Sequence, residues 1–229
     1  MGMGAMQAEN KYGKYSIPEN LEHRPAVRLV TAGDIYEPKT IRFMAQNAGD
    51  GDVIHAGTFF GDFLPGLSAG MAKTKKIWAF EPNPNSFEHA EKTIKLNKIK
   101  NVNVQNHALS SKTGSILFRT HDEAGKPMGG HSHFVDEMAE GVHEVSSIRL
   151  DDAVPFDRKI SILQLDVEGH ERDAMLGARG IIDKWKPILI LEEFKRDRWI
   201  KLQFGHHGYR MVGRLHGNRV FATSDMKLN

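Results

Sequence analysis

Short segments rich in Val, Ile and Leu, separated by stretches with a helical pattern, restrict the fold of this chain more than any other feature. They occupy residues 53–56, 77–81, 102–106, 160–166 and 188–192. Their nearly continuous apolar character is typical of parallel strands that are covered on both faces. Strands that alternate with helices predict an α/β doubly wound sheet with right-handed crossovers.

The predicted helices fill the stretches between these strands. An amphipathic pattern follows Pro38, and Ser86 is a candidate cap for a helix that runs to about residue 97. Another helix is predicted over residues 171–184, where apolar residues recur at helical spacing before Pro187. We therefore expect helices on both faces of a mostly parallel sheet.

The C-terminal part of the chain predicts an antiparallel hairpin. Two strand-like segments, residues 209–215 and 219–223, are joined by His216, Gly217 and Asn218. Glycine and asparagine suit the tight turn that such a hairpin needs.

Composition excludes several classes of function. The chain has no cysteine, which rules out disulfides, zinc–cysteine sites and thiol nucleophiles. Its 31 basic and 29 acidic residues give a net charge of only +2, which argues against a dedicated nucleic-acid binder. No apolar stretch is long enough to cross a bilayer, and the N-terminus has no run resembling a signal peptide. We expect a cytoplasmic protein without a membrane partner.

The N-terminal part of the chain is set apart by its weak patterning. Residues 1 to about 25 are polar, so we expect them to be loose or to form a lid. The predicted division is an N-terminal extension or lid over residues 1–37 and the main domain over residues 38–229.

A glycine-containing turn follows the first predicted strand, in the run VIHAGTFFGDF that begins at Val53. Gly57 and Gly61 let the backbone approach a ligand closely, although a plain strand-to-helix turn explains them equally well. Asp62 lies where a carboxylate complements the dipole of the next helix. The spacing differs from Gly-x-Gly-x-x-Gly, and no Lys-Ser or Lys-Thr pair follows, which disfavours a phosphate-binding loop.

Glu81 ends the second predicted strand and is followed by Pro82, Asn83 and Pro84. A carboxylate at the carboxyl edge of a parallel sheet can accept hydrogen bonds from two ribose hydroxyls. The two prolines stiffen the loop and keep Asn83 near the same ligand. Together with the glycine turn, Glu81 predicts a cofactor that contains adenosine.

Two further strand ends carry candidate site residues. His107 and Ala108 follow the third strand, where a small side chain can pack against an adenine ring. The fourth strand ends in LQLDVEGHE, which brings Asp166, Glu168 and His170 to the centre of the carboxyl edge. Carboxylates there can orient a cationic group, bind a divalent metal or accept a proton. Glu171 is better explained as a residue that caps the following helix.

The candidates for proton acceptor are Asp166, Glu168, His170 and Glu193, the last of which ends the fifth strand. Residues 121–134 form a predicted inserted loop that faces the same edge. The histidines of that loop suit either metal ligands or substrate contacts. No residue pattern specifies a metal, so a divalent ion stays an open alternative.

These segments together resemble the FkbM family of S-adenosylmethionine-dependent methyltransferases. The resemblance spans residues 34–193, and its specific motifs are FEPNP and DVEGHE. The matching pieces are DIYEP from Asp34, GDVIHAGTFFGDF from Gly51, WAFEPNPNSF from Trp78, NHALSSKTG from Asn106, SIRLDD from Ser147, LQLDVEGHERDAMLGA from Leu163 and PILILEE from Pro187.

The resemblance implies a class I methyltransferase sheet, which is Rossmann-like and seven-stranded and ends with a reversed strand. It implies S-adenosylmethionine as the cofactor, with the methionyl part against residues 57–61. The ribose would then lie on Glu81 and the adenine near His107 and Ala108.

One position departs from the family's D-x-G-A-N-x-G pattern. His55 stands where the family has aspartate, and Thr58 and Phe59 replace its small polar pair. A neutral His55 can accept one hydrogen bond, whereas a protonated imidazole would oppose a cationic ligand. Asp62 and Asp166 are the carboxylates that can assist there.

The leading interpretation is an O-methyltransferase that acts on a hydroxyl of a small molecule, such as a sugar or a polyketide-like product. The family resemblance supplies that substrate class. The first alternative is a nucleic-acid methyltransferase that would use the lysines of residues 92–100. The second is a noncatalytic protein that binds S-adenosylmethionine through a degenerate glycine motif.

Overall fold

The computed structural model describes residues 6–229. The strands are β1 (Gln7–Asn10), β2 (Gly13–Ser16), β3 (Asp52–Ala56), β4 (Ile77–Phe80), β5 (Val102–Gln105), β6 (Ala108–Leu109), β7 (Gly114–Arg119), β8 (His133–Phe134), β9 (Val142–Ile148), β10 (Ile160–Leu165), β11 (Ile188–Glu192), β12 (Arg210–Leu215) and β13 (Asn218–Ala222). The helices are α1 (Pro25–Thr31), α2 (Pro38–Asn47), α3 (Leu64–Gly70), α4 (Pro84–Leu96), α5 (Leu150–Ala153), α6 (Glu171–Leu176), α7 (Arg179–Trp185) and α8 (Asp197–Phe204).

The main sheet has seven strands in the order β12-β13-β11-β10-β3-β4-β5. The pairs from β11 to β5 are parallel, whereas β13 is antiparallel to both β11 and β12. The predicted α/β class, the mostly parallel sheet and the C-terminal hairpin are therefore confirmed. Because the strands from β3 to β5, β10 and β11 run in one direction, their carboxyl ends meet at one edge.

The main sheet is covered on both faces. Successive residues of β3, such as Val53 and Ile54, belong to different core clusters. Ile54 packs with residues of α6, α7 and α8, and Val53 packs with residues of α2 and α3. This is the arrangement that the continuous apolar strands predict, since side chains of a strand alternate between its faces.

The start of α4 differs from the prediction. Asn83, and not Ser86, caps the helix, because its side chain accepts hydrogen bonds from the amides of Asn85 (3.0 Å) and Ser86 (3.4 Å). Pro84 occupies the first helical turn, where its missing N–H and fixed φ are favourable. The cap therefore has to precede this proline, and Ser86 lies inside the helix.

The predicted helix over residues 171–184 is divided into α6 and α7. The break lies at Gly177 and Ala178, between the two helices. A side chain at Gly177 would overlap the carbonyl group of Ser110, so the chain passes closely behind the loop that follows β6. The continuous apolar stripe does not reveal this close approach.

The described N-terminal residues form a hairpin that packs against α4. The Ser16 amide donates to Thr93 Oγ1 (3.1 Å), and the Ser16 hydroxyl pairs with His89 Nδ1 (2.9 Å). Tyr15 and Ile17 are fully buried in a cluster that includes Phe60. The expectation of a loose segment or lid also covers residues 1–5, which lie outside the described residues, and the boundary at residue 37 stays a prediction.

A second sheet is inserted between β5 and β10. Its order is β6-β9-β7-β8, and its long pair, β7 with β9, is antiparallel. The predicted inserted loop at residues 121–134 belongs to this unit and includes β8 and a 3₁₀ turn at Gly129–His131. Among residues 6–229, no helix combines the length and apolar character of a membrane span.

Candidate active site

A cleft opens at the carboxyl edge of the main sheet, and we refer to it as the edge cleft. The residues predicted from the sequence that line it are His55, Gly57, Asp62, Glu81, Pro82, His107, Ala108, Asp166 and Glu168. They lie in several different strands or in the loops that follow them, and the sheet brings them together at one edge.

The glycine turn has a backbone conformation that depends on its two glycines. Gly57 has φ +78° and Gly61 has φ +82°, both in the left-handed region. The amides of Gly57 and Thr58 both donate to the Phe80 carbonyl oxygen, at 3.0 and 3.2 Å. A Cβ at Gly57 would overlap the Asp166 carbonyl oxygen, so only glycine fits where β3 meets β10.

Thr58 and Gly61 shape this turn without lining the edge cleft. The Thr58 hydroxyl donates to the His55 carbonyl oxygen (3.1 Å), and the Gly61 amide donates to the Thr58 carbonyl oxygen (2.8 Å). Gly61 also packs closely on Ala90 of α4. Both residues therefore support the part of the cleft that Gly57 and Phe59 form.

Glu81 is buried at the floor of the edge cleft. Its two carboxyl oxygens accept hydrogen bonds from the amides of Phe59 (2.7 Å) and Asn83 (2.9 Å). Burial raises the pKa of Glu81 to about 8, and the nearby charge of Asp62 adds to the effect. Each carboxyl oxygen has a further acceptor position, so the group can still receive ligand hydroxyls.

Asn83 serves the scaffold. Its side-chain oxygen caps α4, and its Nδ2 donates to Ser132 Oγ (3.2 Å). The structure places it outside the lining of the edge cleft. Its side chain therefore ties α4 to the second sheet, and Ser132 forms the neighbouring part of the wall.

His55 is buried in the position where the family pattern has an acid. Its ring stacks on Phe63 with centroids 5.1 Å apart, and its Nδ1 is hydrogen-bonded to Gln164 Oε1. Burial lowers the pKa of His55 to about 4, so the ring is neutral near pH 7. Since the Gln164 oxygen accepts, Nδ1 carries the proton and Nε2 carries a lone pair. Within residues 6–229, His55 Nε2 has no hydrogen-bond partner.

The recess after β5 is apolar apart from its rim. Ala108 and Leu109 are buried beside Phe80, and all three line the edge cleft. His107 lines it too, and its Nδ1 is buried without a hydrogen-bond partner among the described residues. A flat ring with polar edges matches such a recess.

Three carboxyl groups form the carboxylate cluster, which consists of Asp166, Glu168 and Glu192. One carboxyl oxygen from each residue lies within 4.8 Å of those from the other two. Burial, followed by a hydrogen bond with the Glu192 carboxyl group, raises the pKa of Asp166. Burial and the charge of Glu192 raise the pKa of Glu168 to about 7. Glu168 has φ +50°, which turns the chain sharply after β10.

Glu193 was the predicted acid of the fifth strand, and the structure puts Glu192 in that place. Glu193 is exposed, whereas Glu192 lines the edge cleft. Side chains alternate along a strand, so a shift of one residue changes the face that a side chain occupies. The pattern of acids alone does not distinguish these neighbours.

His170 and Glu171 lie behind the carboxylate cluster. The His170 ring packs on Phe134 with centroids 4.1 Å apart, and its Nε2 lies 3.5 Å from Ser110 Oγ. The Glu171 side chain accepts from the Gly169 amide (3.2 Å), which agrees with its interpretation as a capping residue. Neither residue lines the edge cleft.

Several lining residues have no distinctive sequence signal. Arg24 precedes α1 and is one of them, whereas Tyr36 and Glu37 belong to the DIYEP segment of the family resemblance. Gln164 and Asn218 lie on strands, where polar residues are hard to assign without the register. His131, one of the histidines of the predicted inserted loop, lines the edge cleft. The unpredicted polar lining residues are Arg24, Tyr36, Glu37, Ser132, Gln164, Glu192 and Asn218.

Several solved structures are similar to this chain to different degrees. A methyltransferase FkbM from Methylobacillus flagellatus KT has TM-score 0.52 at 16% identity, over 76% of this chain and 43% of that chain. A methyltransferase from Geobacter sulfurreducens has TM-score 0.46 at 11% identity, over 90% of this chain and 86% of that chain. M. jannaschii TYW2 in complex with AdoMet has TM-score 0.47 at 12% identity, over 97% and 88%.

These identities limit the likeness to the fold, and this chain spans less than half of the Methylobacillus protein. No curated protein matches the sequence significantly. A family model described as the methyltransferase FkbM domain matches residues 50–220. That range includes all of the site residues predicted from the sequence and most of the 229 residues. The chain belongs to the FkbM methyltransferase family.

Proposed function

We propose that this chain is an S-adenosylmethionine-dependent O-methyltransferase whose acceptor is a hydroxyl of a small molecule, such as a sugar or a polyketide-like product. The observation that carries the proposal is one cleft that joins the glycine turn, Glu81 and the carboxylate cluster. The groups that we propose for adenosine binding and for proton acceptance therefore lie along one edge of the sheet.

The buried polar atoms of the edge cleft fit this cofactor. His55 Nε2 and His107 Nδ1 are buried without partners in the described structure, so a polar ligand would satisfy both. Glu81 is the proposed partner of the ribose hydroxyls, and the recess at Ala108 is the proposed adenine site. The neutral His55 ring can accept a hydrogen bond from an ammonium group of the cofactor. The aspartate that the family pattern has at this position would instead attract the ammonium group by its charge.

Methyl transfer from a sulfonium needs alignment of the reacting atoms, exclusion of water and, for a hydroxyl acceptor, a destination for its proton. The cofactor supplies the electrophilic methyl group when it is bound. Asp166, Glu168 and Glu192 line the edge cleft together with the glycine turn. These carboxylates are the proposed groups that orient the hydroxyl and receive its proton.

The first test is calorimetric titration of the chain with S-adenosylmethionine and S-adenosylhomocysteine. We expect both to bind, and no detectable binding of either would contradict the proposal. Turnover is then measured as formation of S-adenosylhomocysteine with a panel of hydroxylated small molecules. Methylation that occurs only with nucleic acid would contradict the small-molecule part of the proposal.

The carboxylate assignment is tested with Asp166→Asn. Asp183→Asn is the matched control, because Asp183 lies on α7 away from the edge cleft. We expect turnover to fall by about a hundredfold or more in Asp166→Asn and to be unchanged in the control. Unchanged turnover in Asp166→Asn would remove this residue from the proposed reaction.

A further inference from the structure

The carboxylate cluster concentrates negative charge without a close cation. Asp166 and Glu192 are in hydrogen-bond contact, and Glu168 adds a third carboxyl group. Among residues 6–229, no Lys, Arg or His nitrogen forms an ion pair within 4.0 Å of these three groups. Arg24 acts on them from a greater distance across the edge cleft. Like charges this close repel one another unless a proton or a cation lies between them.

Asn218 provides an independent observation on the same wall. Only 3% of this residue is exposed, and it lines the edge cleft. Its Nδ2 donates to Glu37 Oε2 (2.8 Å), whereas its Oδ1 has no partner among the described residues. A buried amide oxygen without a hydrogen bond is uncommon in native proteins and needs an explanation.

The register of the sheet brings Asn218 to the carboxylate cluster. Asn218 of β13 lies directly opposite Glu192 of β11 in an antiparallel pair. Side chains of directly opposed residues lie on the same face of the sheet, close enough to share a ligand. The unpartnered amide oxygen and the three carboxyl groups thus belong to one site.

We propose that Asp166, Glu168, Glu192 and Asn218 bind one divalent cation of the Mg²⁺ or Mn²⁺ type in the edge cleft. All four donors are oxygens, which such hard cations prefer, and no imidazole or thiolate is part of the set. The cation neutralises the carboxylates and gives the Asn218 oxygen a partner. Its role rests on the proposed function: a hydroxyl bound to the cation is oriented and more acidic, so it loses its proton more readily to a carboxylate oxygen of the cluster that does not bind the cation.

The test is binding of Mn²⁺ to the chelator-treated full chain, followed by electron paramagnetic resonance and by calorimetry. Asp183, His206 and His207 form a second cluster with metal-ligand spacing, so all measurements use a His206→Ala/His207→Ala background. We expect one Mn²⁺ per chain, with affinity about a hundredfold weaker in Glu192→Gln. In Asn218→Ala, which keeps the three carboxylates, we expect affinity to fall severalfold.

Two results would overturn the metal site. One is an absence of Mn²⁺ binding at millimolar concentration, and the other is Mn²⁺ affinity that Glu192→Gln and Asn218→Ala leave unchanged. Titration of the same samples with S-adenosylhomocysteine separates the two proposals. If the chain binds S-adenosylhomocysteine but does not bind Mn²⁺, only the metal site is contradicted. If the chain binds Mn²⁺ but does not bind S-adenosylhomocysteine, the proposed function is contradicted.

Discussion

Glu81 makes the charge of the edge cleft depend on what is bound there. Its carboxyl oxygens already accept the amides of Phe59 and Asn83, and burial still raises its pKa to about 8. The protonated form therefore predominates near pH 7 in the free protein. Ribose hydroxyls that donate to Glu81 would favour the ionised form.

The pKa of Glu81 predicts opposite effects of pH on stability and on binding. Glu81 keeps its proton in the folded state, whereas it loses that proton in the unfolded state above about pH 4.5. The contribution of Glu81 to stability therefore falls as pH rises from about 4.5 to 8. The slope is at most about 1.4 kcal/mol per pH unit. Affinity for S-adenosylhomocysteine should rise over pH 6.5 to 8.5. Denaturant unfolding and calorimetry at several pH values measure the two effects.

Glu81→Gln is the variant that isolates this group, because Asp62 has a raised pKa nearby and titrates in both proteins. The difference in unfolding free energy between wild type and variant should change with pH over the stated window. A difference that is constant with pH would contradict the assignment, as would an affinity for S-adenosylhomocysteine that has the same pH dependence in wild type and in Glu81→Gln.

His55→Phe tests the unpartnered imidazole nitrogen. Phenylalanine preserves the stacking on Phe63 but removes both ring nitrogens. We expect affinity for S-adenosylhomocysteine to fall about tenfold, and unfolding free energy to fall by about 1–3 kcal/mol because Gln164 loses its donor. Calorimetry and denaturant unfolding measure these quantities. Unchanged affinity in a folded variant would show that His55 Nε2 does not contact the ligand.

At the scale of elements, the turn between β3 and α3 sets the geometry of the edge cleft. Gly57→Ala introduces a methyl group that overlaps the Asp166 carbonyl oxygen at a φ of +78°. We expect a loss of unfolding free energy of about 3 kcal/mol or more, because the clash adds to the strain of the left-handed conformation. Thermal unfolding measures the effect.

Gly217→Ala is the matched control for Gly57→Ala. Nothing lies within 4 Å of a Cβ at Gly217, and its φ is outside the positive region. This variant should differ from wild type by no more than about 0.5 kcal/mol. Equal effects of the two substitutions would contradict the argument from steric overlap.

The elements predicted from the sequence are those whose residues face the core on a regular period. The runs at Ile77 and Ile188 were recognised as strands because both of their faces are buried. The sequence does not predict the hairpin of β1 and β2 or the sheet of β6 to β9. The strands β1, β2, β6 and β8 are short, and the longer β7 and β9 have mixed burial patterns. Their positions depend on distant partners, such as Thr93 for Ser16.

The same limit applies to the site. Glu81 and Asp166 can be predicted as candidate site residues because each ends a recognisable strand, and both line the edge cleft. Glu192 was missed by one residue, and Asn218 becomes significant only through its pairing with Glu192. Nothing in the local sequence distinguishes Arg24 from a surface arginine, because its place in the edge cleft depends on how α1 packs.

At the scale of the whole molecule, the two edges of the main sheet carry separate tasks. Asp52 is buried at the amino edge, where it accepts from Trp78 Nε1 (2.9 Å) and the Lys76 amide (2.9 Å). Arg158 adds two hydrogen bonds, of 2.8 and 2.6 Å. This network joins the starts of β3 and β4 to the turn before β10, on the side of the sheet remote from the edge cleft.

Asp52→Asn should therefore weaken the fold without altering the site. We expect unfolding free energy to fall by about 1–3 kcal/mol, because the charge that pairs with Arg158 is lost and one acceptor becomes a donor. Affinity for S-adenosylhomocysteine at a temperature where the variant is folded should stay within twofold of wild type. A large change in affinity with normal stability would contradict this separation.

The inserted sheet allows part of the wall of the edge cleft to change separately from the main sheet. It leaves the main sheet after β5 and returns before β10, and its Gly129, Ser132 and Phe134 form part of the cleft wall. A change in the length or composition of this inserted segment leaves the order of the seven strands of the main sheet unchanged. Substitutions in this one contiguous stretch can therefore reshape part of the cleft wall without altering the segments around Gly57 and Glu81.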